Sequence, residues 1–234
     1  MKWILLLFSV FYSVNMQAQI SPGVYHAQDS VNGLNLTHEL KIDNTYFIHT
    51  IYTKSPAGFV KTIGGFYKFE NDVLAVKLEF NSNYEEDTTT SVELPVEIVE
   101  GGLVFVGDNN LFFKKDPEFK QPLDGKWLFG TRGPDEGQER RGESNSRKTM
   151  KFLSDGYFQW IAYDTETFKF SGTGGGTYTS KDGVYSENIQ FFSRDNTRVG
   201  AQLNFTYEIK GDDWHHKGKN SKGGPMYEIW AVRK

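Results

Sequence analysis

The chain has 234 residues, a net charge of −4, 15% aromatic residues and no cysteine. Without cysteine there is no disulfide, no thiol nucleophile and no thiolate metal ligand or cysteine-linked lipid. The charge is mild and no long block carries one sign, which argues against nucleic acid and anionic membrane surfaces as partners.

Residues 1–18 are predicted to be a signal peptide. Lys2 supplies the positive start, Trp3 to Val14 the apolar stretch, and Ala18 a small residue before cleavage at Gln19. The stretch is far short of the roughly 20 residues that span a bilayer. No later segment is longer, so the expectation is a protein that is exported, periplasmic or secreted, not a lipoprotein and not membrane-embedded.

Beyond the leader the chain repeats itself. At an offset of 111, residues 46–80 align with 157–191 without a gap, and 10 of the 35 pairs are identical. Tyr46/Tyr157, Tyr52/Tyr163, Gly64/Gly175, Gly65/Gly176, Tyr67/Tyr178 and Phe80/Phe191 are among them. Such self-similarity predicts two copies of one structural unit, 19–116 and 122–234. The stretch 117–121, which begins at Pro117 and ends before Pro122, reads as the linker.

The elements are strands. In 73–80, Leu74, Val76, Leu78 and Phe80 are predicted to face inward while Lys77 and Glu79 point away, and Leu203, Phe205, Tyr207 and Ile209 alternate likewise. Turn signals recur at Asp43-Asn44, Asn71-Asp72, Asp155-Gly156, Asp182-Gly183 and Gly211-Asp212. No helix pattern stands out. The predicted class is all-β, with two tandem antiparallel meander β-barrels, because closure removes exposed strand edges.

Gly125-Lys126-Trp127 resembles the G-x-W signature that opens lipocalin-like barrels. The second half as a whole is similar to lipocalin-like secreted domains of unknown function found in Bacteroidetes-type bacteria, and the first half carries a weaker echo in Gly23-Val24-Tyr25. The resemblance implies that Trp127 plugs one barrel end with the Arg233 guanidinium over its ring. It implies a fold and leaves the ligand open.

Comparing the halves singles out candidate site residues. The inward positions Leu74, Val76, Leu78 and Phe80 correspond to Tyr185, Glu187, Ile189 and Phe191, so a carboxylate replaces valine inside the second unit. A buried carboxylate needs a partner or a proton, and Glu187 is either a site residue or a structural polar group. In the structural case Glu187→Val is expected to be neutral or stabilising. Trp160, with the small Ala162 beside it, offers a flat surface for a ring or sugar, or is a core tryptophan. Trp214-His215-His216 is predicted to open a long loop; adjacent strand histidines would point to opposite sides, and His216 or His215 could meet Glu187 as an acid–base pair. His49 reads as a satisfied core histidine.

Residues 131–147 read as a solvated flap at a barrel mouth. Gly172 to Gly176 is a wall bend rather than a phosphate loop, since no lysine–threonine pair or helix follows it. No metal site or cofactor is predicted, with histidines only at 26, 38, 49, 215 and 216.

The second unit is therefore expected to bind a small apolar or aromatic molecule with Trp160, Tyr178, Tyr185, Glu187, Phe191, Trp214 and His215. An alternative is an isomerase, cyclase, lyase or hydrolase using Glu187 with His216 or a tyrosine. A third is a structural or interaction module with filled barrels.

Overall fold

The computed structural model describes residues 19–220 and 223–234; the predicted signal peptide lies outside them. Sixteen strands form two barrels. The first uses β1 (Gly23–Val31), β2 (Leu34–Ile42), β3 (Tyr46–Lys54), β4 (Ala57–Glu70), β5 (Val73–Asn81), β6 (Ser91–Val99), β7 (Gly102–Phe105) and β8 (Leu111–Lys115). The second uses β9 (Gly125–Arg132), β10 (Arg147–Ser154), β11 (Tyr157–Asp164), β12 (Phe170–Lys181), β13 (Val184–Phe192), β14 (Gln202–Lys210), β15 (Asp213–Lys219) and β16 (Pro225–Val232). Each set pairs antiparallel in chain order and closes on itself, β8 onto β1 and β16 onto β9. These are closed up-and-down barrels of lipocalin-like fold, and they leave no sheet edge open.

The two barrels match strand for strand. Both carry a register break between equivalent glycine pairs, Gly64/Gly65 on β4 and Gly175/Gly176 on β12. The extra residue lies on the partner strand: Gly64 pairs with Phe80 and Gly65 with Leu78, as Gly175 pairs with Phe191 and Gly176 with Ile189. A bulge of one residue turns later side chains to the other face. Leu78 and Ile189 therefore join the barrel cores, whereas Phe80 and Phe191 leave them. Their predicted inward direction is thus corrected by the bulge.

The space they enter lies between the barrels. Tyr46, Ile48 and Phe80 of the first barrel pack with Leu128, Met150, Phe152, Ile161 and Tyr163 of the second. Equivalent surfaces meet: Tyr163 lies 5.1 Å from Phe80 and Tyr52 lies 4.9 Å from Phe191, while Phe59 stacks on its own repeat mate Phe170. Gln159 accepts from Thr50 at 2.9 Å and donates to Thr62 and Thr173. The arrangement has the self-complementarity of a two-fold dimer, within one chain.

Arg233 belongs to this contact and not to Trp127. Val232 pairs with Trp127 and shares its inward face, so alternation sends Arg233 outward. Its guanidinium sits 5.0 Å from the Tyr46 and Phe66 ring centres and grips Glu79 of the other barrel through both terminal nitrogens, each at 2.8 Å. Tyr46 and Tyr163 donate to the same carboxylate. Trp127 lies in the core of the second barrel, edge-on to Trp214, its indole N–H on the Leu123 carbonyl at 2.9 Å.

The only helical segments among the described residues are Tyr84–Asp87 and the 3-10 turn Asn196–Arg198. Asp213–Lys219 is a regular strand, not the predicted loop. The stretch 133–146 is a loop held down by Arg140 on Asp213, Arg141 over the Phe129 ring and Glu143 on Arg233, so it is tethered more closely than a solvated flap.

Candidate functional site

The interior of the first barrel is packed with apolar side chains. Tyr25, Leu40, Phe47, Leu74, Val76 and Phe113 occupy its interior. His38 and His49 stack there with Nδ1 and Nε2 3.0 Å apart, and burial holds His49 down to about 3, so it is a neutral core group.

The second barrel keeps an opening. A cavity of about 330 Å³ lies at the end where β13 stops and β14 begins. Its walls include Trp160, Ile189, Phe192, Leu203, Phe205 and Trp230. Lys151, Glu187, His216 and Glu228 also line it. A more open cavity of about 680 Å³ under the 133–146 loop abuts the first, sharing Thr149, Glu228 and Trp230.

Strand pairing dictates why the polar groups converge. Lys151 on β10 pairs with Trp127, Glu187 on β13 with Tyr178, and His216 on β15 with Glu228 on β16, all inward positions. The same registers in the first barrel are filled by Leu40, Val76, Phe105 and Leu111. Four apolar side chains in one copy are thus four ionisable or polar ones in the other. Packing alone does not require this exchange, because the apolar set already closes a barrel.

The geometry sorts the four into two pairs. Glu187, 6% exposed, accepts from Lys151 Nζ at 2.9 Å and from the Tyr185 hydroxyl at 2.8 Å. The ammonium lies 4.9 Å from the ring centre of Tyr185 and 5.0 and 5.3 Å from those of Trp214 and Trp230. Both charges are satisfied. His216, 2% exposed, has no hydrogen-bond partner on either ring nitrogen. Its Nδ1 is 3.7 Å from Glu228, within ion-pair reach but too long for a hydrogen bond. Burial, helped by the Lys151 charge, lowers the His216 pKa and keeps the ring neutral. Burial works to raise that of Glu228, but the net direction is down, with the Lys151 charge and the Trp230 indole, which donates to Oε2 at 3.1 Å, favouring the carboxylate.

Of the sequence-predicted residues, Trp160, Glu187 and His216 line the cavity. Tyr178, Tyr185 and Trp214 are almost wholly buried in the aromatic floor beneath it. Phe191 does not line the cavity; it packs between the barrels on Tyr52. Nor does His215: it sits on the outer face of β15, its Nδ1 2.7 Å from the Tyr227 hydroxyl, because it alternates with the inward His216. Glu187 and His216 do not form the expected acid–base pair, because Glu187 is taken up by Lys151 and Tyr185.

Lys151 and Glu228 were not visible in the residue pattern. In Lys148-Thr149-Met150-Lys151-Phe152 the apolar residues face the other barrel, so alternation read against solvent places Lys151 outside. The repeat offset held the signal: 40 + 111 = 151 aligns Lys151 with Leu40.

A scan of protein-family models finds no match to the chain, and neither does a comparison with curated proteins. No helix among the described residues is long and apolar enough to cross a membrane.

Proposed function

We propose that the protein is an exported, lipocalin-like binding protein whose second barrel holds a small apolar or aromatic molecule at its open end, while the first barrel is a filled structural partner. Export rests on the leader-like residues 1–18, and membership of the lipocalin-like secreted domains on the Gly125-x-Trp127 opening followed by an eight-stranded barrel. The observation that carries the binding reading is the replacement of Leu40, Val76, Phe105 and Leu111 by Lys151, Glu187, His216 and Glu228 around a 330 Å³ cavity. That volume lies at the low end of small-molecule sites, and mostly apolar walls with a few convergent polar groups are their usual make-up.

The test is native mass spectrometry of freshly purified protein beside a variant carrying Lys151→Leu, Glu187→Val, His216→Phe and Glu228→Leu. A compound bound to the wild type and lost from the folded variant supports the reading. A compound retained by the variant, or none captured from the cell extract, counts against it.

One observation favours a second reading, an enzyme. Neutral His216 faces the cavity with both nitrogens unused and a carboxylate 3.7 Å away, an arrangement able to exchange a proton with a bound molecule. On that reading His216 and Glu228 act, and Glu187 fixes Lys151.

A further inference from the structure

Three polar side chains of the cavity lie deep, beside the apolar Ile189, Phe205 and Trp230. Lys151, Glu187 and His216 are 5, 6 and 2% exposed and sit one layer above the Tyr185–Trp214 floor. Phe192, Leu203, Met226 and Glu228 are only partly buried, and Lys219 and Asn220 at the rim are exposed. An occupant that reaches the buried layer with a polar end can lay an apolar body along Trp160, Phe192, Leu203 and Met226.

The unused valences describe that polar end. Lys151 and Glu187 neutralise each other at 2.9 Å, and the Glu187 oxygen also takes the Tyr185 hydroxyl. What remains is the Glu228 carboxylate, to which no lysine or arginine among the described residues comes within ion-pair distance, and a neutral imidazole with two free nitrogens. Lys151, Glu187 and Glu228 together carry one excess negative charge, with Arg141 acting on Glu228 from the adjoining cavity. A carboxylate entering this layer would meet like charge in a poorly solvated place. A hydroxyl or amine could donate to Glu228, and a hydroxyl could also accept from the imidazole N–H. Arg198 and Lys219 also line the cavity, and a ligand held by them would be anionic instead.

We infer that the second barrel takes a ring-bearing amphipathic molecule that enters head first, with a hydrogen-bond-donating, non-anionic head held by Glu228 and His216. This rests on the binding reading given above and specifies its ligand class.

The experiment is calorimetric titration of the full chain with four probes sharing one ring system: 2-naphthol, 2-naphthylmethylamine, 2-methylnaphthalene and 2-naphthoate. The expected order puts the naphthol or the amine ahead of the methyl compound by at least about tenfold in Kd, the scale of one hydrogen bond to a charged group. The naphthoate should be the weakest. Glu228→Leu, which installs the residue of the first barrel, should erase the donor advantage and leave 2-methylnaphthalene binding within about twofold. If that variant does not fold, His216→Phe should show the same loss. Equal binding of all four probes, or preference for the naphthoate, would overturn the inference and leave the binding reading standing. Failure of all four to bind would end both.

Discussion

At the scale of single residues, the Lys151–Glu187 pair decides how the cavity floor responds to substitution. Without sight of the partner, Glu187→Val looks neutral or stabilising. With Lys151 Nζ at 2.9 Å the same change strands a buried ammonium. It should cost about 3–5 kcal/mol, as breaking one side of a buried pair does. The double variant Lys151→Leu with Glu187→Val, which copies Leu40 and Val76, should recover wild-type stability or exceed it. Thermal melts of the two variants check this, and a single variant as stable as the double would remove the pair from the account. His26 gives a pH-dependent counterpart on the first barrel's outer wall. Burial disfavours its charge, but hydrogen bonds to Asp116 and Glu39 prevail and raise its pKa to about 9. Its ring lies 4.9 Å from Tyr157 of the other barrel. A folded-state pKa above the unfolded value of about 6.5 means the contribution is complete below pH 6.5 and disappears as pH climbs through 9. The melting temperature should therefore fall from pH 6 to pH 10 more steeply in the wild type than in His26→Gln; parallel profiles would refute the assignment.

At the scale of elements, the glycine pairs on β4 and β12 set which side chains are inside. A Cβ on Gly65 would come within 2.0 Å of the Lys77 carbonyl oxygen, and one on Gly176 within 2.1 Å of that of Asn188. Backbone is in the way in both cases, so Gly65→Ala and Gly176→Ala should each destabilise by about 1–3 kcal/mol or more. Urea unfolding is the measurement, and a shift below about 0.5 kcal/mol would show that the bulge absorbs the methyl group. The strands, the glycine bend and the inward Glu187 were legible in the sequence because the repeat gives each position an internal control. The bulge's effect was not. Phe80 and Phe191 continue the apolar alternation on paper, and only the extra residue at Glu79 or Gln190 turns them toward the other barrel.

At the scale of the whole molecule, the two barrels behave as one body because their outer walls are buried against each other. Arg233 and Glu79 lock that contact. Burial opposes the Glu79 charge, yet its bonds to Arg233, Tyr46 and Tyr163 keep its pKa low, so the lock holds at neutral pH and weakens as pH falls through that value. Arg233→Ala strands the carboxylate and should lower stability by about 3–5 kcal/mol while leaving ligand affinity intact, since Arg233 does not line the cavity. Calorimetry of the wild type should show one transition for both barrels, and two in the variant if the contact rather than either barrel has been weakened. Loss of ligand binding with unchanged stability would place Arg233 in the site instead.

The sequence by itself determined the local and repeated features: strand period, turns, the offset of 111 residues and the presence of a carboxylate where its twin has valine. These follow from side-chain alternation and backbone preference, which act over a few residues. The tertiary structure alone decided what each face meets. It joined Lys151 to Glu187 and His216 to Glu228 from four strands, and turned Arg233 from the expected partner of Trp127 into an inter-barrel clamp. It also made an apolar outer wall of β10 that hides a lysine within an inverted pattern. The reason is burial: alternation tells which residues share a side, but only the packing of one barrel on the other tells which side is dry.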